Sequence, residues 1–236
     1  MAAGTLYLIP TTLGDSPLTA VIPEDVQARV RRLTHFAAEN PKSARAFLKR
    51  VGMDRPLQEL QISTLDEHTP DAAIADIAAP LGAGHDLGVM SEAGCPGVAD
   101  PGARLVLYAQ LHAIRVVPLV GPSSILLALM ASGLNGQRFA FHGYLPVPPA
   151  EREKTLRELE KQSRRLRQTQ IFIETPYRNQ KLLQSILAVC AETTLLCVAA
   201  ELSLAGEEVR TMTVTRWKAK PPQLDRRPCL FLLLAD

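Results

Sequence analysis

The residues best placed to do chemistry stand where apolar runs end. Ser91-Glu92-Ala93-Gly94-Cys95-Pro96-Gly97-Val98-Ala99-Asp100-Pro101-Gly102 follows the apolar stretch Leu87 to Met90 and packs three glycines, two prolines and two acids into twelve residues. A loop of this make-up lets backbone approach a ligand closely. In it Glu92 can accept hydrogen bonds from a ribose diol, and backbone carbonyls can face a cation. As plain structure, Asp100-Pro101 reads as a helix N-cap followed by proline at the first helical position.

Further segments repeat this arrangement. Pro10-Thr11-Thr12-Leu13-Gly14-Asp15-Ser16 ends the first apolar run, where open α/β sheets bind ligands. It lacks G-x-G-x-x-G and Gly-Lys-Ser/Thr, so neither a dinucleotide nor a phosphate cradle is indicated; blandly read, it is a turn whose Asp15 or Ser16 caps the next helix. Val116 to Val120 runs into Gly121-Pro122-Ser123-Ser124, offering free N–H groups and two hydroxyls to a carboxylate or phosphate, while a serine N-cap explains the spacing equally well. Ile171-Phe172-Ile173 delivers Glu174 to a strand end, with Thr175 read as cap and Pro176 as first helical residue, and Ala200-Glu201 repeats the pattern.

The elements that must hold these loops alternate. Thr5–Ile9, His35–Ala38, Leu87–Met90 and Arg115–Val117 read as buried strands, and 23–33, 43–51, 72–81 and 103–111 as amphipathic helices, a β-α-β series with a mainly parallel sheet. After the uncharged stretch 116–137 the rhythm resumes with Arg138–Phe141, a charged helix from Glu151 to about Arg167 beyond the stiff Leu145-Pro-Val-Pro-Pro149 connector, and Gln170–Ile173, a second α/β unit. Its last strands, 195–200, 209–214 and 229–234, are joined by connections too short for long crossover helices, which predicts a mixed sheet. The expected architecture is α/β in two domains, 1–120 and 121–236, with a binding cleft between them.

Composition sets outer limits. Of 236 residues 47% are hydrophobic and 21% charged, an ordinary folded mixture, and 26 basic against 24 acidic side chains is too even to indicate nucleic acid by net charge. Four cysteines without C-x-x-C and five histidines without H-x-x-x-H predict no metal site and no disulfide framework, in keeping with a reducing compartment. The N-terminus lacks the basic region of a signal peptide, so a cytoplasmic place is expected. Val116 to Gln137 is uncharged and long enough to span a bilayer, but prolines and glycines break it into strand, turn and short helix, and no membrane partner is expected. The 151–168 segment holds seven basic and four acidic residues, and mixed signs at i,i+4 favour a solvated face over RNA binding.

Taken in order, Leu6-Tyr-Leu-Ile-Pro10 with Gly14, Ser91-Glu-Ala-Gly-Cys-Pro96 through Asp100-Pro101-Gly102, Val116-Val-Pro118 with Gly121-Pro-Ser123, Phe141 to Pro146, Ile173-Glu174-Thr175 and Ala200-Glu201-Leu202 resemble the tetrapyrrole methylase superfamily. The likeness is strongest to its branch of ribosomal small-subunit cytidine 2′-O-methyltransferases, and it runs nearly the full chain. The resemblance implies two α/β domains, a homodimer and S-adenosylmethionine in the cleft. It also implies a cofactor site of Pro10, Gly14, Ser91, Glu92, Ala93, Gly94, Pro96, Val98, Asp100, Ser123, Ser124, Glu174 and Ala200. Such a cofactor, a sulfonium with a zwitterionic tail, a diol and adenine, needs the carbonyls, carboxylates and N–H donors that those loops carry.

The implied acceptor is an rRNA ribose, in rRNA or a ribosomal subunit, and its hydroxyl needs a base, for which Glu39, Glu92 and Glu174 are the candidates. The alternatives are a tetrapyrrole or other small acceptor, and a non-catalytic cofactor-binding module. Only 5% of residues are aromatic, which speaks against a large planar acceptor. The chain departs from the ribosomal branch in Ala38-Glu39-Asn40-Pro41-Lys42-Ser43, where those enzymes have Ala-Glu-Asp-Thr-Arg, and in Glu92, where they have aspartate.

Overall fold

The computed structural model describes residues 3–236, which divide into two compact units meeting at Ser123 and Ser124. The first is built on five parallel strands: β1 (Leu6–Ile9), β2 (His35–Ala38), β3 (Gln61–Thr64), β4 (Leu87–Met90) and β5 (Val116–Pro118), in the order β3-β2-β4-β1-β5. The sequence reading missed β3. Its exposed, polar edge-strand pattern lacks the apolar run that marks the others.

Both faces of this sheet are covered, as a parallel sheet requires, and β4 is buried along its whole length. The helices α2 (Glu24–Arg31) and α3 (Pro41–Val51) pack on one face through Val26, Val30, Phe47 and Leu48, whereas α4 (Ala73–Gly82) and α5 (Ala103–Leu111) cover the other through Ile77, Leu81, Leu105 and Ala109. Successive crossovers leave β1 toward β2 and β3 and leave β4 toward β5, in opposite directions along the sheet. Adjacent strands β1 and β4 therefore flank a topological switch point, and the crevice beyond their carboxyl ends is where such sheets bind ligands.

The second unit carries a mixed sheet, β6 (Phe139–Tyr144), β7 (Thr169–Ile173), β10 (Cys229–Leu234), β8 (Leu195–Ala200) and β9 (Glu208–Thr213), in that spatial order. Only the β6–β7 pair is parallel; β10 runs antiparallel to both neighbours and β8 to β9. Its core gathers Leu156, Phe172, Leu183, Ile186, Trp217 and Phe231, with α7 (Pro149–Leu166) and α8 (Asn179–Val189) contributing their apolar stripes. The uncharged stretch from Val116 resolves into β5, a turn and α6 (Ser124–Ser132), and no helix among the described residues is long and apolar enough to cross a membrane.

Three capping expectations fail for local reasons. Asp15 and Ser16 cap nothing: the short α1 (Leu18–Val21) starts behind Pro17 with no side-chain cap, and the Ser16 hydroxyl is buried without a partner. Asp100 is not an N-cap, because Gly102 takes that position and Asp100 instead accepts from Gly97 N at 3.1 Å and Gly102 N at 2.8 Å, bracing its own loop. Thr175 and Pro176 lie in a turn closed by Arg178 N on Thr175 O at 2.9 Å, so α8 begins three residues later than expected. A real side-chain cap sits at Asn40, whose Oδ1 accepts from Lys42 N at 2.9 Å with Pro41 opening α3.

Candidate functional site

The register pairs Ile9 with Met90 and Met90 with Ala38, so β1, β4 and β2 end level and release their loops at one edge. Hydrogen bonds then join these loops. Thr11 N donates to Gly94 O at 2.9 Å, Thr11 Oγ1 to Ser91 O at 3.2 Å, and Ser91 Oγ to Gly94 O at 3.2 Å. Cys95 Sγ reaches Pro122 O at 3.4 Å, tying in the turn after β5. Pro10 lies so close to Gly121 that a Cβ there would fall 2.3 Å from the proline Cβ, which makes Gly121 a close-approach glycine.

Gly94, one of the loop glycines expected to let backbone approach a ligand, is also required by the fold. Its φ is +75°, and an added Cβ would lie 3.3 Å from Leu13 and 3.5 Å from Pro122 O. The bridge to Thr11 needs this left-handed conformation, so a β-branched residue costs fold stability as well as any binding.

A cavity of about 260 Å³ opens between these loops and α3. Gly14, Ser91, Glu92 and Ala93 line it, together with Thr11, Thr12 and Met90 from the strand ends and Asn40, Ser43, Phe47 and Arg50 from α3 and its cap. The α3 residues are the ones sequence reasoning missed. Their spacing, 40, 43, 47, 50, is that of one helix face and was the signal available. Arg50 is held in place by Thr12 Oγ1 at 3.4 Å and by the Ser16 carbonyl. Glu92 is exposed and accepts one hydrogen bond, from Ser43 Oγ at 2.5 Å, leaving its second carboxylate oxygen free for a ligand.

Acids dominate this edge. Burial raises the Glu39 carboxyl above its ordinary range, and Asp100, Glu92, Glu67 and Asp66 raise it further by like-charge repulsion. Asp100 is raised too, chiefly by burial, with Glu92 adding to it against the lowering by its two amide donors. The local field therefore favours a cation, and Glu39 is a readier proton acceptor near neutrality than an ordinary carboxylate. A larger hollow of about 710 Å³ lies at the amino ends of the same strands, lined by residues such as Tyr7, Arg29, Arg32 and His85. The smaller one lies at the carboxyl ends of β1 and β4, where sheets with this strand order bind ligands.

The remaining predicted residues are placed as follows. Pro96 is buried, Val98 is 50% exposed and Ser123 is half-buried at the end of the first unit. Ser124 opens α6, and Ala200 is buried as the last residue of β8. Glu174 has a side chain only 1% exposed, and its Oε1 accepts from Thr175 N at 2.7 Å and Arg178 Nη2 at 2.6 Å. Among the described residues no group of His, Cys, Asp and Glu is arranged to hold a metal ion.

Comparison with known proteins agrees with this architecture. No family model matches the chain. It is 30% identical over 236 residues to the ribosomal RNA small subunit methyltransferase I of Pseudomonas aeruginosa, covering 99% of this chain and 79% of that protein. The Xylella fastidiosa protein of the same name is 34% identical over 206 residues, 87% of this chain and 71% of its own. The crystal structure of the methyltransferase CobJ superposes with a TM-score of 0.63 at 17% identity, over 100% of this chain and 95% of that one, a likeness of fold. On the identity and coverage of these relatives, the chain belongs to the ribosomal RNA small subunit methyltransferase I family.

Proposed function

We propose that this chain transfers a methyl group from S-adenosylmethionine to a ribose 2′-hydroxyl of small-subunit rRNA. The observation that carries the reading is the 30% identity across 99% of the chain to a relative named as a small-subunit ribosomal RNA methyltransferase. The switch-point cavity supports it. Its walls combine a carboxylate with a free oxygen, hydroxyls, a guanidinium and the apolar Phe47 and Met90, groups suited to a diol, a carboxylate tail or a flat apolar ring. At about 260 Å³ it is smaller than the roughly 300–1,000 Å³ of sites that enclose a whole drug-sized ligand, so it takes one moiety.

S-adenosylmethionine supplies an electrophilic methyl group on a sulfonium. The chain's own part is positioning and proton handling. Glu92, oriented by Ser43, holds a ribose hydroxyl; the carbonyls of Ser91 and Gly94 are fixed by Thr11; and the acidic edge favours positive charge. Glu39, exposed and with a raised pKa, is the base in this reading, whereas Glu174 is enclosed by Arg178. Homodimeric assembly, implied by the family resemblance, and a cytoplasmic place belong to the same proposal.

Calorimetry with S-adenosylmethionine and labelled methyl transfer to small ribosomal subunits test it. The expected result is cofactor binding, no binding of NAD or ATP, and incorporation at one ribose. Absence of cofactor binding, or transfer only to a small acceptor, overturns it.

A further inference from the structure

Helix α7 mixes basic and acidic side chains along its sequence, and the fold separates them. Arg152 is buried, with Nε donating to Ser185 Oγ at 3.1 Å and Nη1 to Val147 O at 2.8 Å. Glu160 is buried as well, accepting from Ala191 N at 2.7 Å and Thr194 Oγ1 at 2.5 Å. Glu153 faces Arg157 at 3.5 Å. What remains at the end of the helix is Lys161, Arg164, Arg165 and Arg167, all exposed and, among the described residues, in no ion pair. Arg138, exposed and unpaired too, joins them through its Nη1, 3.4 Å from Leu166 O.

This cluster is held on ordered backbone. Asn135 Nδ2 donates to Arg167 O at 2.6 Å, while Asn135 Oδ1 accepts from Gln137 N at 3.0 Å and Arg138 N at 3.2 Å. Arg167 ends the helix at φ 50°, a left-handed cap that a non-glycine residue adopts at some cost. Arg164 Nε donates to Asp236 O at 2.5 Å. Along the helix the nearest exposed acid is Glu158, one turn back, and Asp236 meets the cluster through its main-chain oxygen. The cluster sits at the amino end of β7, and Glu174 lies beyond its carboxyl end, about 17 Å away at the rise of a strand.

We infer that Arg138, Lys161, Arg164, Arg165 and Arg167 form a docking surface for the phosphodiester backbone of a folded RNA. Four of the five are arginines, whose planar forks match phosphate oxygens. Phosphate contacts carry no methyl-transfer chemistry, so the surface contributes affinity and orientation of the acceptor. The inference rests on the RNA reading of the acceptor.

The test uses the full chain and the triple variant Arg138→Gln/Lys161→Gln/Arg165→Gln, which spares Arg164 and Arg167 and keeps the Arg138 N–H bond to Asn135, losing only the long Nη1 contact of Arg138 with Leu166 O. Fluorescence anisotropy with a labelled small-subunit rRNA fragment is followed across salt concentrations, with S-adenosylmethionine calorimetry as the folding control. The expected result is RNA affinity lower by about tenfold or more and a log K against log salt slope shallower by about 2. KM for ribosomal subunits should rise, with kcat and cofactor affinity unchanged. Unchanged affinity and slope overturn the inference, as does a parent chain that prefers an acidic polypeptide to RNA. A parent chain that binds RNA through these residues but transfers no methyl group overturns the functional reading and leaves the docking surface standing. Transfer that is indifferent to the triple variant does the reverse.

Discussion

Glu92 and Glu174 look alike as sequence, each an acid delivered to the rim by a buried apolar strand, β4 in one unit and β7 in the other. Their surroundings make them different residues. Glu174 is enclosed, and its Oε1 is occupied by a guanidinium and a backbone amide. Glu92 stands in solvent at the mouth of a cavity with a single hydroxyl donor on one oxygen. An acid at a strand end is therefore open to a ligand only where the fold leaves its carboxylate exposed, as at Glu92 and not at Glu174. Elsewhere it is a brace for the loop that follows.

The sharpest way to break this comparison is to remove each acid. Glu174→Ala leaves the Arg178 guanidinium, whose Nε is already without a partner, beside an emptied pocket. Breaking a buried pair costs about 3–5 kcal/mol, and because Arg178 is 36% exposed the expected loss of unfolding free energy is about 2–3 kcal/mol. Chemical denaturation measures it, and a loss under about 0.5 kcal/mol, the size of an ordinary surface substitution, would show that the pair braces nothing.

Glu92→Gln should do the opposite, with stability nearly unchanged and cofactor affinity weaker by about 1.5–3 kcal/mol, the scale of a hydrogen bond to a charged group. Calorimetry decides between this and a base role. Intact affinity with transfer slower by about 10²–10⁴ would make Glu92 the base and displace Glu39.

The smallest effect concerns Glu39. Its carboxyl is raised in the folded protein above the ordinary 4.5, so ionisation is easier in the unfolded chain. The folded state is thus undisturbed below that value and loses stability as pH rises through the raised one. Glu39→Gln should melt at a higher temperature than the parent at about pH 7 and at the same temperature near about pH 4. An equal shift at both would assign the effect to packing.

Much of this methyltransferase was legible in its residues. The alternation of apolar runs with amphipathic stretches set the parallel first unit, and the short connections before 209 and 229 set the mixed second one, because hydrophobic period and loop length limit which strands can pair. The glycine-rich Ser91 to Gly102 segment marked the β4 loop, since glycine gathers where backbone must turn left-handed, as at Gly94 and Gly97, or approach closely. Polar β3 escaped, because an edge strand has little apolar pattern to read.

What only the tertiary structure decided is which polar groups are already used. Ser43 and Arg50 lie tens of residues from Glu92 and Thr12, and meet them only because α3 packs behind the ends of β1 and β4. In the same way Glu160 and Arg152 leave the surface of α7 through contacts with residues more than thirty positions away, and the basic end of that helix is what remains. Local sequence fixes residue type and periodicity. The satisfaction of a charge or a hydrogen bond is a long-range property, settled by which elements pack together.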